Sequence, residues 1–140
     1  MSCASFFLDK QKISLLYKYY LLEDLSWLET TKEQAQTEKQ RAKIDWFLAC
    51  HEKEKYLITQ IESKLKKGWS FSRLLPLEKS VLVYATHEIL FSKEIFIPSL
   101  INQIVEFSKR YLEEDKYRYI NKVLDLIYKC KDLKQNNKNH

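Results

Sequence analysis

"LEKSVLVYATHEIL", residues 77–90, is the densest apolar run in the chain, and it carries His87 and Glu88 side by side near its end. Pro76 stands directly before it, where a helix loses nothing by a missing N–H. The run therefore reads as a helix from Pro76 to about Ser92. On such a helix residues 81, 84, 85 and 88 share a face. Val81, Tyr84 and Ala85 are apolar, so Glu88 is expected at a core edge. A buried carboxylate needs hydrogen-bond donors. The free N–H groups at the start of a helix beginning near Pro98 offer them, and Asn102 and Asn121 lie beside apolar stripes where they can join such a network. A polar tie between helices is one reading of Glu88, and a direct ligand contact is the other. His87-Glu88 also opens like the zinc motif H-E-x-x-H, which needs a second imidazole one turn on. Phe91 occupies that position, and the other histidines are only His51 and His140. No metal site is expected.

Outward from that run the pattern stays helical. One Gly and two Pro in 140 residues leave little material for the turns of a sheet protein. Ile13, Leu16, Tyr17, Tyr20 and Leu21 recur at helical spacing, so a first helix spans Asp9 to Glu23 with Asp9 as its cap. Residues 24–31 read as a connection, and Thr31 as the next cap. From Lys32 to Lys67 two helices are expected, breaking near residues 38–43, with one long helix as the alternative and Gly68 as a left-handed cap. A helix from Pro98 presents Leu100, Ile101, Ile104, Val105 and Phe107. A last helix, about 114–130, turns Tyr117, Ile120, Val123, Leu124 and Ile127 inward. The expectation is an all-α, compact bundle of about six to seven helices. Residues 1–130 form one domain and the polar residues 131–140 a fraying tail.

The net charge of +5 permits an anionic partner but does not demand one. Cys3, Cys50 and Cys130 make neither a disulfide framework nor a zinc pattern, which suits a reducing, cytoplasmic setting. Phe6, Phe7 and Leu8 are cut short by Asp9, too soon for a signal peptide, and no run approaches a membrane span. With one Gly there is no phosphate-cradling loop. No nucleophile, base and electrophile assemble, so neither an enzyme nor a cofactor is expected.

Basic residues gather in three places. Lys10, Lys12 and Lys18 form the first group. Lys64, Lys66, Lys67 and Arg73 lie around Trp69. Lys109, Arg110, Lys116, Arg118 and Lys122 alternate with Tyr111, Tyr117 and Tyr119. Cations meet phosphates, and aromatic faces stack on unpaired bases, so the first and third groups suit single-stranded RNA. The bland alternative is a solvated basic surface whose aromatics belong to the core.

The second half resembles the NusB family of transcription antitermination factors. "WSFSRLLPLEKSVLVYATHEIL" is similar to the family's W-x-x-x-R-L lead-in and its E-x-x-I/V-L-x-x-A-x-x-E-L helix. "INQIVEFSKRY" and "EDKYRYINKVLD" are similar to the I-N-E-x-V-E-L-A-K and F-V-N-G-V-L-D helices, in the family's order over roughly residues 69–127. "ISLLYKYY" resembles the first-helix A-L-Y segment more weakly. The resemblance implies two packed helical subdomains. It also implies capture of a boxA-like single-stranded RNA together with the ribosomal protein NusE, within a transcription complex. On this resemblance Tyr17, Glu78 and Asp115 fall at or near the RNA and partner surface. Lys10, Lys12, Arg110, Lys116 and Arg118 join them from the basic groups. Asn102, Asn121 and Asp125 fall on framework positions.

The departures are specific. The arginine-rich opening of the family is replaced by "SCASFFLDKQK". The carboxylate of I-N-E is Gln103, the glycine of N-G-V-L-D is Lys122, and Phe96 holds a proline position. Fewer phosphate contacts weaken RNA binding. Phe6-Phe7-Leu8 then offers an apolar surface to a partner or to a second copy of the chain. The alternative function is a NusB-fold protein-interaction module without specific RNA binding.

Overall fold

The computed structural model describes the backbone of residues 8–138 and the side chains of residues 8–133. Phe6 and Phe7 lie outside the described residues. Seven α-helices follow one another among those described: α1 (Lys10–Leu22), α2 (Leu28–Gln34), α3 (Glu38–Glu52), α4 (Glu54–Glu62), α5 (Pro76–Phe91), α6 (Ile97–Tyr111) and α7 (Lys116–Lys138). The fold is all-α.

Helix α5 is the axis of the molecule. Every residue from Ser80 to Ile89 is buried, so this central stretch of the helix has no solvent face. A helix that is apolar all round is stable only when other helices surround it. Here α1, α4, α6 and α7 all pack on α5, while α3 pairs with α1 and α6 with α7. The question of which α5 face turns inward therefore dissolves, because all of them do.

The helix starts follow local chemistry. Asp9 caps α1, its Oδ1 accepting from the N–H groups of Gln11 and Lys12 at 3.1 and 3.2 Å. Only Ile13 and Leu16 of the first stripe are fully buried, whereas Tyr17 and Leu21 are exposed. Pro76 opens α5 and Pro98 lies in the first turn of α6, as expected.

The middle of the chain differs from expectation. Thr31 lies inside the short α2, and its hydroxyl donates back to the Trp27 carbonyl. Thr37 is the cap instead. It forms a capping box with Gln40 and starts α3 at Glu38, ahead of the expected break. A second break at Lys53 divides the rest into α3 and α4. The segment "KEQAQTEKQRAK" is polar on all faces, so no apolar stripe marks these boundaries.

Gly68 has a φ of 91° but caps no helix, since α4 ends at Glu62. It occupies the third position of a turn closed by Trp69 N–H donating to the Lys66 carbonyl at 2.9 Å, where a type II turn requires a positive φ. Helix α7 continues through Lys138 rather than ending near residue 130. Lys131 anchors the extension by donating its ammonium to the Ile89 carbonyl near the end of α5.

Candidate nucleic-acid interface

Two concavities gather Lys10, Arg110, Asn102, Glu78 and Lys116 from the residues singled out by sequence. The first is a groove of about 540 Å³ between the start of α1 and the outer face of α6. Lys10, Asn102, Lys109, Arg110 and Tyr111 line it, with Phe107 behind. Tyr111 is half exposed and packs against Phe107 at a centroid distance of 4.7 Å, while the Lys10 ammonium lies 5.8 Å from the Tyr111 ring centre. Gln103 accepts the Leu8 N–H at 2.7 Å, tying the chain entering α1 to α6. The residue that replaces the family carboxylate thus holds one edge of the groove. The Lys109 ammonium lies 5.0 Å from the Tyr117 ring centre and 3.4 Å from the carboxylate of Glu106, which also lines the groove. Cations and an exposed aromatic ring in one groove can neutralise phosphates and stack a base.

The second concavity, about 340 Å³, lies between the Gly68 turn, the single 3-10 turn Phe71–Arg73 and the start of α5. Trp69, Arg73, Glu78 and Lys116 line it. Glu78, expected at or near the RNA and partner surface, lines this concavity but is only 1 % exposed. Its position in the first turn of α5 points it toward α7. There the Tyr119 hydroxyl donates to Oε1 at 2.7 Å, and the Lys116 ammonium stands 3.5 Å from Oε2. Burial, and then the bond to Glu78, push the Tyr119 hydroxyl above its usual pKa. Trp69 stays 44 % exposed, with its ring edge against Tyr119. Trp69 and Arg73 belong to the second basic group, the one the sequence did not favour. The turn that carries them past Glu78 is the missing signal.

The remaining residues are dispersed. Asp115 and Arg118 are exposed and pair with each other at 3.2 Å at the start of α7, with Asp115 in a left-handed conformation of φ 67°. Tyr17 is exposed on α1 and lines neither concavity. Lys12 points inward: its ammonium lies 4.9 Å from the centre of the Trp46 ring. It serves the interior rather than the groove.

Asn102 and Asn121 are exposed, and neither contributes to the polar network around Glu88. Glu88 is buried and accepts from Trp46 Nε1–H on α3 at 2.9 Å and from His87 Nδ1–H at 3.3 Å. Its partners come from α3 and its own neighbour, not from the start of α6. Trp46 was the unforeseen member, because a Trp beside Ile44 and Phe47 reads as ordinary core. Phe91 does occupy the space where a zinc motif needs its second histidine, its ring 5.3 Å from that of His87. Among the described residues no group of three His, Cys, Asp or Glu side chains is placed to hold a metal. None of the described helices is long and apolar enough to cross a membrane.

Comparison with known proteins adds an independent line. The NusB family matches residues 8–129. The transcription antitermination protein NusB of Thermotoga petrophila is 37% identical over 73 residues, covering 52% of this chain and 51% of that protein. Its counterpart in Methylacidiphilum infernorum is 38% identical over 72 residues, covering 49% and 50%. That of Clostridium perfringens is 35% identical over 82 residues, covering 59% and 60%. The chain spans about half the length of the curated relatives it matches. The helical order, the buried α5 and the match across residues 8–129 agree, and the chain belongs to the NusB family.

Proposed function

We propose that this chain is a non-enzymatic, cytoplasmic transcription antitermination factor. It captures a short, boxA-like single-stranded RNA of ribosomal RNA leaders together with the ribosomal protein NusE. The antitermination role is the one named for its relatives. The observation that carries the RNA reading is the groove that Lys10, Lys109 and Arg110 line together with the half-exposed Tyr111 ring. Those lysines and that arginine supply cations where the segment "SCASFFLDKQK" carries no arginine. They come from α6 as well as from α1, so the cations that meet phosphate are redistributed over two helices. Asp115, Arg118 and Tyr17 add exposed polar and aromatic surface for the partner protein.

The test is titration of a boxA-like RNA into the chain, with and without NusE, at two salt concentrations. Saturable binding that weakens with salt and tightens with NusE is the expected result. No binding in either condition sinks this reading and leaves a NusB-fold module that binds protein alone.

A further inference from the structure

The concavity beneath Trp69 holds a feature the RNA groove does not explain. Glu78 Oε2 is buried and receives no hydrogen bond from the described residues, although Oε1 is paired with Tyr119. A buried carboxylate oxygen without a donor is costly, and a native example calls for an explanation. Among the described residues the cation against it is Lys116, 3.5 Å away on a side chain one-third exposed. Lys116 therefore covers the free oxygen from the solvent side and is able to swing away from it. Above the carboxylate stand the 44 % exposed Trp69 and the exposed Arg73.

We propose that this pocket is a single-nucleotide site for a base carrying an exocyclic amino group, guanine foremost. The base stacks on Trp69 and donates to Glu78 Oε2. Lys116 leaves the carboxylate for the phosphate, where Arg73 joins it. The exchange conserves charge pairing. The incoming ligand brings a donor for the acceptor that Lys116 uncovers and an anion for the displaced ammonium. A bare anion draws Lys116 away and strands Glu78, and a bare amine strands Lys116, so neither alone satisfies both. An ionised carboxylate only accepts hydrogen bonds. Guanine presents N1–H and N2–H₂ side by side, whereas uracil flanks its one N–H with two carbonyls that the carboxylate repels. Pocket volume suits one stacked base and its phosphate, not a folded element. For a nucleotide within a chain, the site deepens the RNA-capture reading and rests on it; for a free nucleotide it does not.

Calorimetric titration of the full chain tests this with guanosine 5′-monophosphate, uridine 5′-monophosphate, guanosine and inorganic phosphate. The guanosine monophosphate is expected to bind about tenfold tighter than the uridine one, the discrimination expected of a matched base edge. Guanosine or phosphate alone binds much more weakly than the two joined. Glu78→Gln abolishes the preference for guanine. Trp69→Ala weakens both nucleotides about tenfold through the loss of stacking, and Trp69→Phe, which keeps a ring against Tyr119, restores most of it. No heat from any mononucleotide at millimolar concentration overturns the site, as does a guanine preference that survives in Glu78→Gln. A chain that binds the single-stranded RNA with Trp69→Ala and Glu78→Gln as tightly as without them overturns the pocket but not RNA capture. A chain that binds guanosine monophosphate but no RNA overturns RNA capture alone.

Discussion

Glu88 remains ionised although it is buried, and its neighbours explain why. Burial acts to raise its pKa, but the hydrogen bonds from His87 and Trp46 and the charge of Lys12 outweigh burial and hold it below its ordinary value of 4.5. The folded pKa lies under the unfolded one, so the ionised form stabilises the fold at neutral pH. That contribution is present above the unfolded pKa and is lost as pH falls through the folded one. Glu88→Gln should therefore be less stable than the natural chain at neutral pH, with the gap closing as pH drops below about 4.5. Urea denaturation at a series of pH values measures the gap, and a gap that stays constant removes the ionised carboxylate from the account. Cys50, by contrast, is pushed up to about 12, by burial first and then by the charges of Glu88 and Glu54. It packs at 0 % exposure and carries no reactive thiolate at neutral pH.

At the scale of elements, α1 and α3 start at side-chain caps, whereas α2, α4, α5 and α6 start without one. The Thr37–Gln40 capping box is the strong start signal between α2 and α3, in a stretch whose side chains are mostly exposed. Thr37→Ala should cost about 1 kcal/mol of stability, the usual penalty for removing such a cap. Chemical denaturation reads it directly, and an unchanged midpoint means packing through Ile44 and Phe47 sets the start of α3 instead. The turn at Gly68 has a different source of cost. A Cβ there meets nothing within 4 Å, so only the φ of 91° disfavours other residues. That turn matters because it delivers Trp69 to the mouth of the Glu78 pocket.

Across the whole molecule, charge is organised rather than merely in excess. Lys12 is drawn inward over Trp46, and Lys116 stands against Glu78, whereas Lys10, Lys109 and Arg110 stay at the first groove. Replacing Lys10 and Arg110 together with Gln should weaken RNA binding and flatten its salt dependence by about one unit of slope for each phosphate left without its cation. Both residues are exposed, so thermal stability should change little. RNA titrations at several salt concentrations, beside a melting curve, separate the two effects. A slope equal to that of the natural chain moves the RNA path away from this groove.

Composition and spacing alone determined the helical class, the start of α5 at Pro76, the cap at Asp9 and the failure of the zinc motif at Phe91. Each is a local matter: a missing N–H, a carboxylate beside free amides, one position in a four-residue period. The burial of Glu78, the inward turn of Lys12 and the exposure of Asn102 and Asn121 were decided only when the helices packed. A side chain's surroundings depend on which helix lies across from it. Trp46 is 42 positions from Glu88, and Tyr119 is 41 from Glu78. No periodicity within one helix carries that information, because the partner that satisfies a buried charge comes from another part of the chain.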